Sequence, residues 1–151
     1  MILIPGNQVT YREADKDFNR LNHFKVEEAG EKVAILALGD FYQRGEQLSA
    51  KIKAELGFTP TLINPRFASG IDKELLESLS ERHQMVITME DGILSGGFGE
   101  KIASFYGSSD MKVKNYGLEK KFYDRYDPNE LLKEVGMTPV QIIADICNQL
   151  K

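Results

Sequence analysis

The chain has 151 residues, near the commonest size for one domain, and 42% of them are apolar, enough for an ordinary core. A charged fraction of 28% with a formal net charge of −4 argues against nucleic-acid binding, which needs a basic face. No apolar run approaches the roughly 18 residues of a membrane span, and the single cysteine, Cys147, excludes an internal disulfide and fits a reducing cytoplasm.

The first thirty residues read as an arm or linker. Met1-Ile2-Leu3-Ile4-Pro5 is too short for a signal peptide and lacks a basic leader. Pro5-Gly6-Asn7 then marks a turn, and Tyr11 to Leu21 is dense in charge without a clean period. Phe24-Lys25-Val26 reads as a short strand which, folded back as a hairpin, would form an antiparallel edge.

From Val33 the pattern is regular. Val33 to Leu38 is a continuous apolar run ended by Gly39, the mark of a strand covered on both faces. A helix over Phe41 to Leu56 carries Leu48, Ile52 and Leu56 four apart, and Gly57 stops it. Thr61-Leu62-Ile63 is a second strand, closed by Asn64-Pro65, and Lys73 to Glu81 a short helix. Met85 to Met89 is a third strand. A further helix starts near Gly97, and Val113 to Leu118 is a fourth strand. Asp127-Pro128-Asn129-Glu130 and Thr138-Pro139-Val140-Gln141 each open a helix with a capping side chain and a proline at the first helical position. The last helix presents Ile143, Ile146, Cys147 and Leu150 on one side. Strands alternating with helices predict an α/β fold, a three-layer α/β/α arrangement. Its sheet has about five strands, mostly parallel, with one antiparallel edge.

Ligands of open α/β sheets gather beyond the carboxyl ends of the strands. Those ends carry Gly39 and Asp40, Arg66 and Phe67, then Glu90, Asp91 and Gly92, and finally Glu119 and Lys120. The sharpest local signal is Glu90-Asp91-Gly92 followed by Ser95-Gly96-Gly97-Phe98-Gly99-Glu100. Glycines entering a helix expose N–H groups to which an anion such as phosphate could bind. The segment has no trailing Lys-Ser/Thr of a P-loop, and it lies too late in the sheet for a dinucleotide fingerprint. The plainer reading is tight turns and close helix–sheet packing, with Glu90 and Asp91 bonded to nearby backbone or to another domain. Arg66 could clamp a carboxylate or phosphate, but an ion pair with Asp72, Glu90 or Asp91 is the favoured expectation.

The remaining candidates are weaker. A metal site from Glu90, Asp91 and Asp72 has no ligand spacing behind it. His83, at a helix end, is expected to cap carbonyls, and His23 lies in the arm without supporting context. Cys147 is expected to be buried and inert. The serines lack a nucleophile-elbow context. No residue is assigned a catalytic, cofactor-binding or metal-binding role. Arg66, Glu90, Asp91, Gly92, Gly96, Gly97 and Gly99 form the candidate interdomain or anion-binding edge.

The order of motifs resembles the C-terminal domain of transketolase-type enzymes. The motifs are Val33 to Gly39, Asn64-Pro65-Arg66-Phe67 with Ile71-Asp72, His83 through Gly92, Gly96-Gly97-Phe98-Gly99, and Tyr116-Gly117-Leu118. Within that group the likeness is greatest to the 1-deoxy-D-xylulose-5-phosphate synthases. It divides the chain into an arm over 1–30 and a transketolase C-terminal-like domain over 31–151.

The resemblance implies a parent enzyme that binds thiamine diphosphate and Mg²⁺ between a pyrophosphate-binding and a pyrimidine-binding domain, in a homodimer. Such enzymes transfer a two-carbon unit to an aldehyde, and the synthases feed isoprenoid synthesis. The C-terminal domain would pack on its neighbours and support the dimer, with no nucleic acid or membrane as partner. Two features depart from the family pattern. Leu3-Ile4-Pro5-Gly6 lacks the arginine usual beside the Pro-Gly, and the loop from Gly117 to Tyr126 is unusually charged. These departures leave two alternatives: the separate C-terminal subunit of a split transketolase-like enzyme, or a free-standing regulatory or anion-binding module.

Overall fold

The computed structural model describes residues 20–124 and 127–150. The arm before residue 20, and Arg125 and Tyr126 of the charged loop, lie outside the described residues. Five strands form one sheet in the order β1-β3-β2-β4-β5: β1 Lys25–Glu28, β2 Lys32–Ala37, β3 Thr61–Asn64, β4 His83–Ile93 and β5 Lys112–Leu118. β1 runs antiparallel to β3 at one edge, and every other pair is parallel. The expected mixed sheet with an antiparallel edge is the observed one, but the edge is not a hairpin: β1 pairs with β3 and not with β2, the strand that follows it.

The apolar run of β2 divides by alternation between two cores, because successive side chains leave opposite faces of a strand. Val33, Ile35 and Ala37 join Met85, Ile87 and Met89 of β4 on one face. That face is covered by α1 (Tyr42–Leu56), α4 (Pro128–Glu134) and α5 (Pro139–Gln149), through Leu48, Ile52, Leu132, Ile142 and Ile146. Ala34, Leu36 and Val86 face the other way, under α2 (Lys73–Leu79) and α3 (Phe98–Tyr106), where Leu76, Leu79, Phe98, Ile102 and Tyr106 close the second core. Phe24 belongs to this second core and is only 3% exposed, so the chain is already packed just before β1.

Local chemistry sets the helix ends. Gly57 ends α1 in the left-handed conformation at φ 75°. Asp127 accepts from the N–H groups of Asn129 and Glu130, and Thr138 forms a capping box with Gln141. Gly45 lets α1 approach the sheet, since a Cβ there would stand 2.6 Å from the Cβ of Ala37.

Two expectations need correction. Cys147 is half-buried at the margin of the first core, because α5 turns it toward the edge of the packed stripe. Glu90, Asp91 and Gly92 do not follow the strand but lie within it: β4 continues to Ile93, which pairs with Leu118 across a register shift after Met89. The partner strand β5 supplies that extra ladder, and Leu94 extends it by donating to the Leu118 carbonyl at 2.9 Å.

Candidate functional site

The extension of β4 carries Glu90 to the carboxyl rim of the sheet, directly under the start of α3. Its side chain is almost fully buried, at 6% exposure. The two carboxylate oxygens accept from main-chain N–H groups of the first helical turn, Phe98 at 2.9 Å and Gly99 at 2.8 Å. A carboxylate at a helix N-terminus meets both the orphan donors and the positive end of the helix dipole. The cradle that the glycine-rich stretch forms for an anion therefore holds an anion belonging to the chain itself.

The glycines are explained by this packing. A Cβ on Gly97 would stand 2.7 and 2.8 Å from the Glu90 oxygens, and one on Gly117 would be 3.3 Å from Glu90 Cγ. Gly92 lies beside the same carboxylate, with a hypothetical Cβ 3.3 Å from Oε2. Gly99 sits over a second polar pair, where its Cβ would meet Thr88 Oγ1 at 2.5 Å and Asn115 Cγ at 2.8 Å. The fully buried Thr88 hydroxyl donates to Asn115 Oδ1 at 2.8 Å. Gly96 alone in this stretch needs a left-handed backbone, at φ 77°, and its N–H donates to the Glu100 carboxylate. Asp91 points out of the fold and is exposed.

Arg66 occupies the same rim at the end of β3. Its φ of 61° is unusual for a residue with a side chain. The Asn64 side-chain oxygen accepts from the Arg66 N–H at 3.1 Å, and the Phe67 N–H donates to the Pro65 carbonyl at 2.7 Å, closing a γ-turn around Arg66. The expected ion pair with Asp72 or Glu90 is replaced by a grip on main chain. Arg66 Nε and Nη2 donate to the His23 carbonyl at 3.2 and 2.7 Å.

Of the three carboxylates expected to pair with Arg66, Asp91 is exposed, and Asp72 and Glu90 serve main-chain donors instead. Asp72 accepts from Phe24 N–H at 2.9 Å and from Leu75 N–H at 3.2 Å, and it lies 2.9 Å from His23 Nδ1. Sequence reading left His23 without a role. Its partner is 49 positions away, beyond any local pattern.

His83 lies at the opposite, amino-terminal edge. Its Nδ1 donates to the Leu79 carbonyl at 2.9 Å, the capping contact expected of it, and Nε2 faces Thr61 Oγ1 at 2.8 Å. Burial pulls its pKa below 6.5, partly opposed by the Leu79 hydrogen bond. On β5, burial and the bond to Asp145 push the Tyr116 hydroxyl well above its ordinary value.

The chemistry available at the rim is limited. Among the described residues no three His, Cys, Asp or Glu side chains form a group able to hold a metal ion. None of their buried side-chain polar atoms lacks a partner. Exposed apolar side chains do stand there: Ile93 at 43% and Phe122, fully exposed in the loop after β5. No helix among the described residues is long and apolar enough to cross a membrane.

A doubly covered, mostly parallel sheet with an internally filled glycine turn defines a three-layer α/β domain. Its closest description comes from comparison: residues 22–142 match the family described as "Transketolase, C-terminal domain". The chain belongs to that family.

Among curated relatives it is 31% identical over 153 residues to a 1-deoxy-D-xylulose-5-phosphate synthase of Shouchella clausii, covering 99% of this chain and 24% of that protein. It is 38% identical over 115 residues to the same enzyme of Clostridium perfringens, covering 75% of this chain and 18% of the relative. The chain thus spans a quarter or less of the length of these relatives. In fold it resembles a solved split-gene transketolase, an inactive beta4 tetramer, with a TM-score of 0.74 and 24% identity, over 85% of this chain and 42% of that one.

Proposed function

We propose that this domain serves a thiamine-diphosphate-dependent, transketolase-type transferase related to 1-deoxy-D-xylulose-5-phosphate synthase, by docking rather than by chemistry. In this reading the carboxyl rim, with Arg66, Glu90, Asp91, Gly92, Gly96, Gly97 and Gly99, faces the pyrimidine- and pyrophosphate-binding parts of the enzyme and supports its homodimer. The whole enzyme would work in the cytoplasm and move a two-carbon unit in isoprenoid synthesis. The part of the arm before Phe24 would be the link toward those parts, since Phe24 and β1 are already built into the docking domain.

One observation carries the reading: the carboxylate of Glu90 fills the glycine turn that resembles a diphosphate cradle. Thiamine diphosphate and Mg²⁺ do not fit the described residues. A diphosphate would have to displace a buried carboxylate from its two N–H donors, and the described residues bring together no set of metal ligands. The cofactor of the whole enzyme would therefore be held elsewhere. Exposed Ile93 and Phe122 at the rim add apolar surface of the kind that partner contacts use.

The test is reconstitution. The 151-residue chain should show no two-carbon transfer alone, and activity should appear when the pyrimidine- and pyrophosphate-binding portions of the enzyme are added. Turnover by the isolated chain would overturn the proposal. The same assay covers a separate subunit of a split enzyme, the form of the solved relative.

A further inference from the structure

We infer that the loop after β3 is a clamp whose ligand is the main chain of residues 22–24, with Arg66 and Asp72 as its two positioning residues. The clamp fixes the course of residues 22–24 into β1. It goes beyond the docking proposal, and it holds whether or not another polypeptide meets the rim.

The contacts are numerous and converge on three consecutive residues. Arg66 holds the His23 carbonyl through two N–H groups, while Asp72, only 7% exposed, holds the Phe24 N–H and the His23 ring. Ser69 donates to the Asn22 side chain at 2.8 Å, and a Cβ on Gly70 would collide with that same side chain. Asn22 is itself left-handed at φ 58°, so the chain bends into the clamp. One step earlier, Arg20 pairs with Glu74 at 3.4 Å. Segment and loop together line a cleft of about 230 Å³ that includes Arg20, His23, Asp72 and Lys73.

The backbone of Arg66 supplies the argument for purpose. A left-handed, γ-turned residue is strained unless it is glycine, and such strain persists where surrounding contacts over-determine it, often at ligand clamps. Glycine would relax the turn but would remove the guanidinium that reaches His23. The grip on His23 is thus a role for Arg66 that glycine could not fill. The grip also reaches the rim: Phe24 packs its ring against Phe98 at 5.9 Å, and Phe98 is the residue whose N–H Glu90 holds. The clamped segment and the glycine turn thus meet through Phe24 and Phe98.

The experiment uses the full 151-residue chain with Arg66→Gly, Arg66→Lys and Asp72→Asn. It follows amide hydrogen exchange at Phe24 and tryptic cleavage of the Arg20–Leu21 bond. Arg66→Gly should keep the far-UV circular dichroism of the parent, because it relieves the backbone. It should still speed Phe24 exchange and Arg20–Leu21 cleavage by about tenfold, the signature of a local opening. Arg66→Lys should fall between parent and glycine variant, and Asp72→Asn should act in the same direction. Unchanged exchange and cleavage in a folded Arg66→Gly chain would overturn the inference. So would an equal acceleration at the β2 amides, which would mean general loosening instead of a clamp. Neither readout depends on cofactor or partner, so failure here is separable from failure of the docking proposal.

Discussion

The carboxylate of Glu90 accepts the Phe98 N–H at 2.9 Å from a strand eight residues earlier, so one buried side chain both anchors the end of β4 and caps α3. The glycines on either side exist in that geometry to make room for it. What looks in sequence like a site open to an anion is a closed joint between strand and helix.

Removing the joint should be costly. Glu90→Gln keeps the shape but turns an amide toward donors that need an acceptor, and Glu90→Ala leaves the N–H groups of Phe98 and Gly99 without a partner. Either should destabilise the domain by about 2–3 kcal/mol, the range for buried charged hydrogen bonds. Urea unfolding checks this, and a loss below about 0.5 kcal/mol would contradict the joint.

Gly97→Ala should destabilise through crowding. Its Cβ would press on both Glu90 oxygens, at 2.7 and 2.8 Å. A cost of about 1–3 kcal/mol is expected, as for overpacking. In the double variant with Glu90→Ala the cost should shrink without vanishing, because the Glu90 oxygens are gone while the Ile93 carbonyl, 2.6 Å from the added Cβ, remains. Additive costs in a double-mutant cycle would mean that Gly97 answers to something else.

His83 sets a pH dependence of known sign. Its folded pKa lies below the unfolded value of 6.5, chiefly because burial disfavours the charged ring. The unfolded chain then binds more protons in the window just below pH 6.5, so this contribution to stability is complete above 6.5 and fades as pH falls through the window. A proton NMR titration of the His83 ring should give a midpoint below 6.5. A midpoint at or above that value would contradict the buried, neutral ring donating to Leu79.

Tyr116 donates to Asp145 at 2.8 Å and so ties β5 to α5. Tyr116→Phe removes this bond while leaving the ring in the core. A loss of about 1 kcal/mol in thermal or denaturant unfolding is expected. No loss would mean that solvent replaces the bond at once.

Phe122 separates folding from docking. Being fully exposed, it should be replaceable by Ser with a change within about 0.5 kcal/mol. The same substitution should weaken association with the rest of the enzyme, followed by sedimentation of the mixed components. Unaltered association would remove Phe122 from the docking face.

Much of this molecule was legible in its sequence, and the exceptions share a cause. The two-faced run of β2, the caps Asp127 and Thr138 and the stop at Gly57 are local grammar, and each element formed where that grammar places it. The rim was less legible. Glu90-Asp91-Gly92 reads as a turn, yet pairing of Ile93 with Leu118 from a strand 25 residues away holds it in the ladder. Whether Glu90 faces solvent or the α3 donors depends on that register, which no local pattern contains. His23 and Asp72, and Arg66 with the His23 carbonyl, are likewise contacts between distant segments that fold topology alone brings together. Arg66 also carries its strain in φ, a quantity invisible in an Asn-Pro-Arg-Phe string.

Calorimetric titration of thiamine diphosphate with Mg²⁺ into the 151-residue chain puts the most direct question to the docking account. A cradle already closed by Glu90 predicts no heat of binding at millimolar ligand. Saturable binding in the micromolar range, abolished by substitutions in the Gly96 to Gly99 turn, would contradict it.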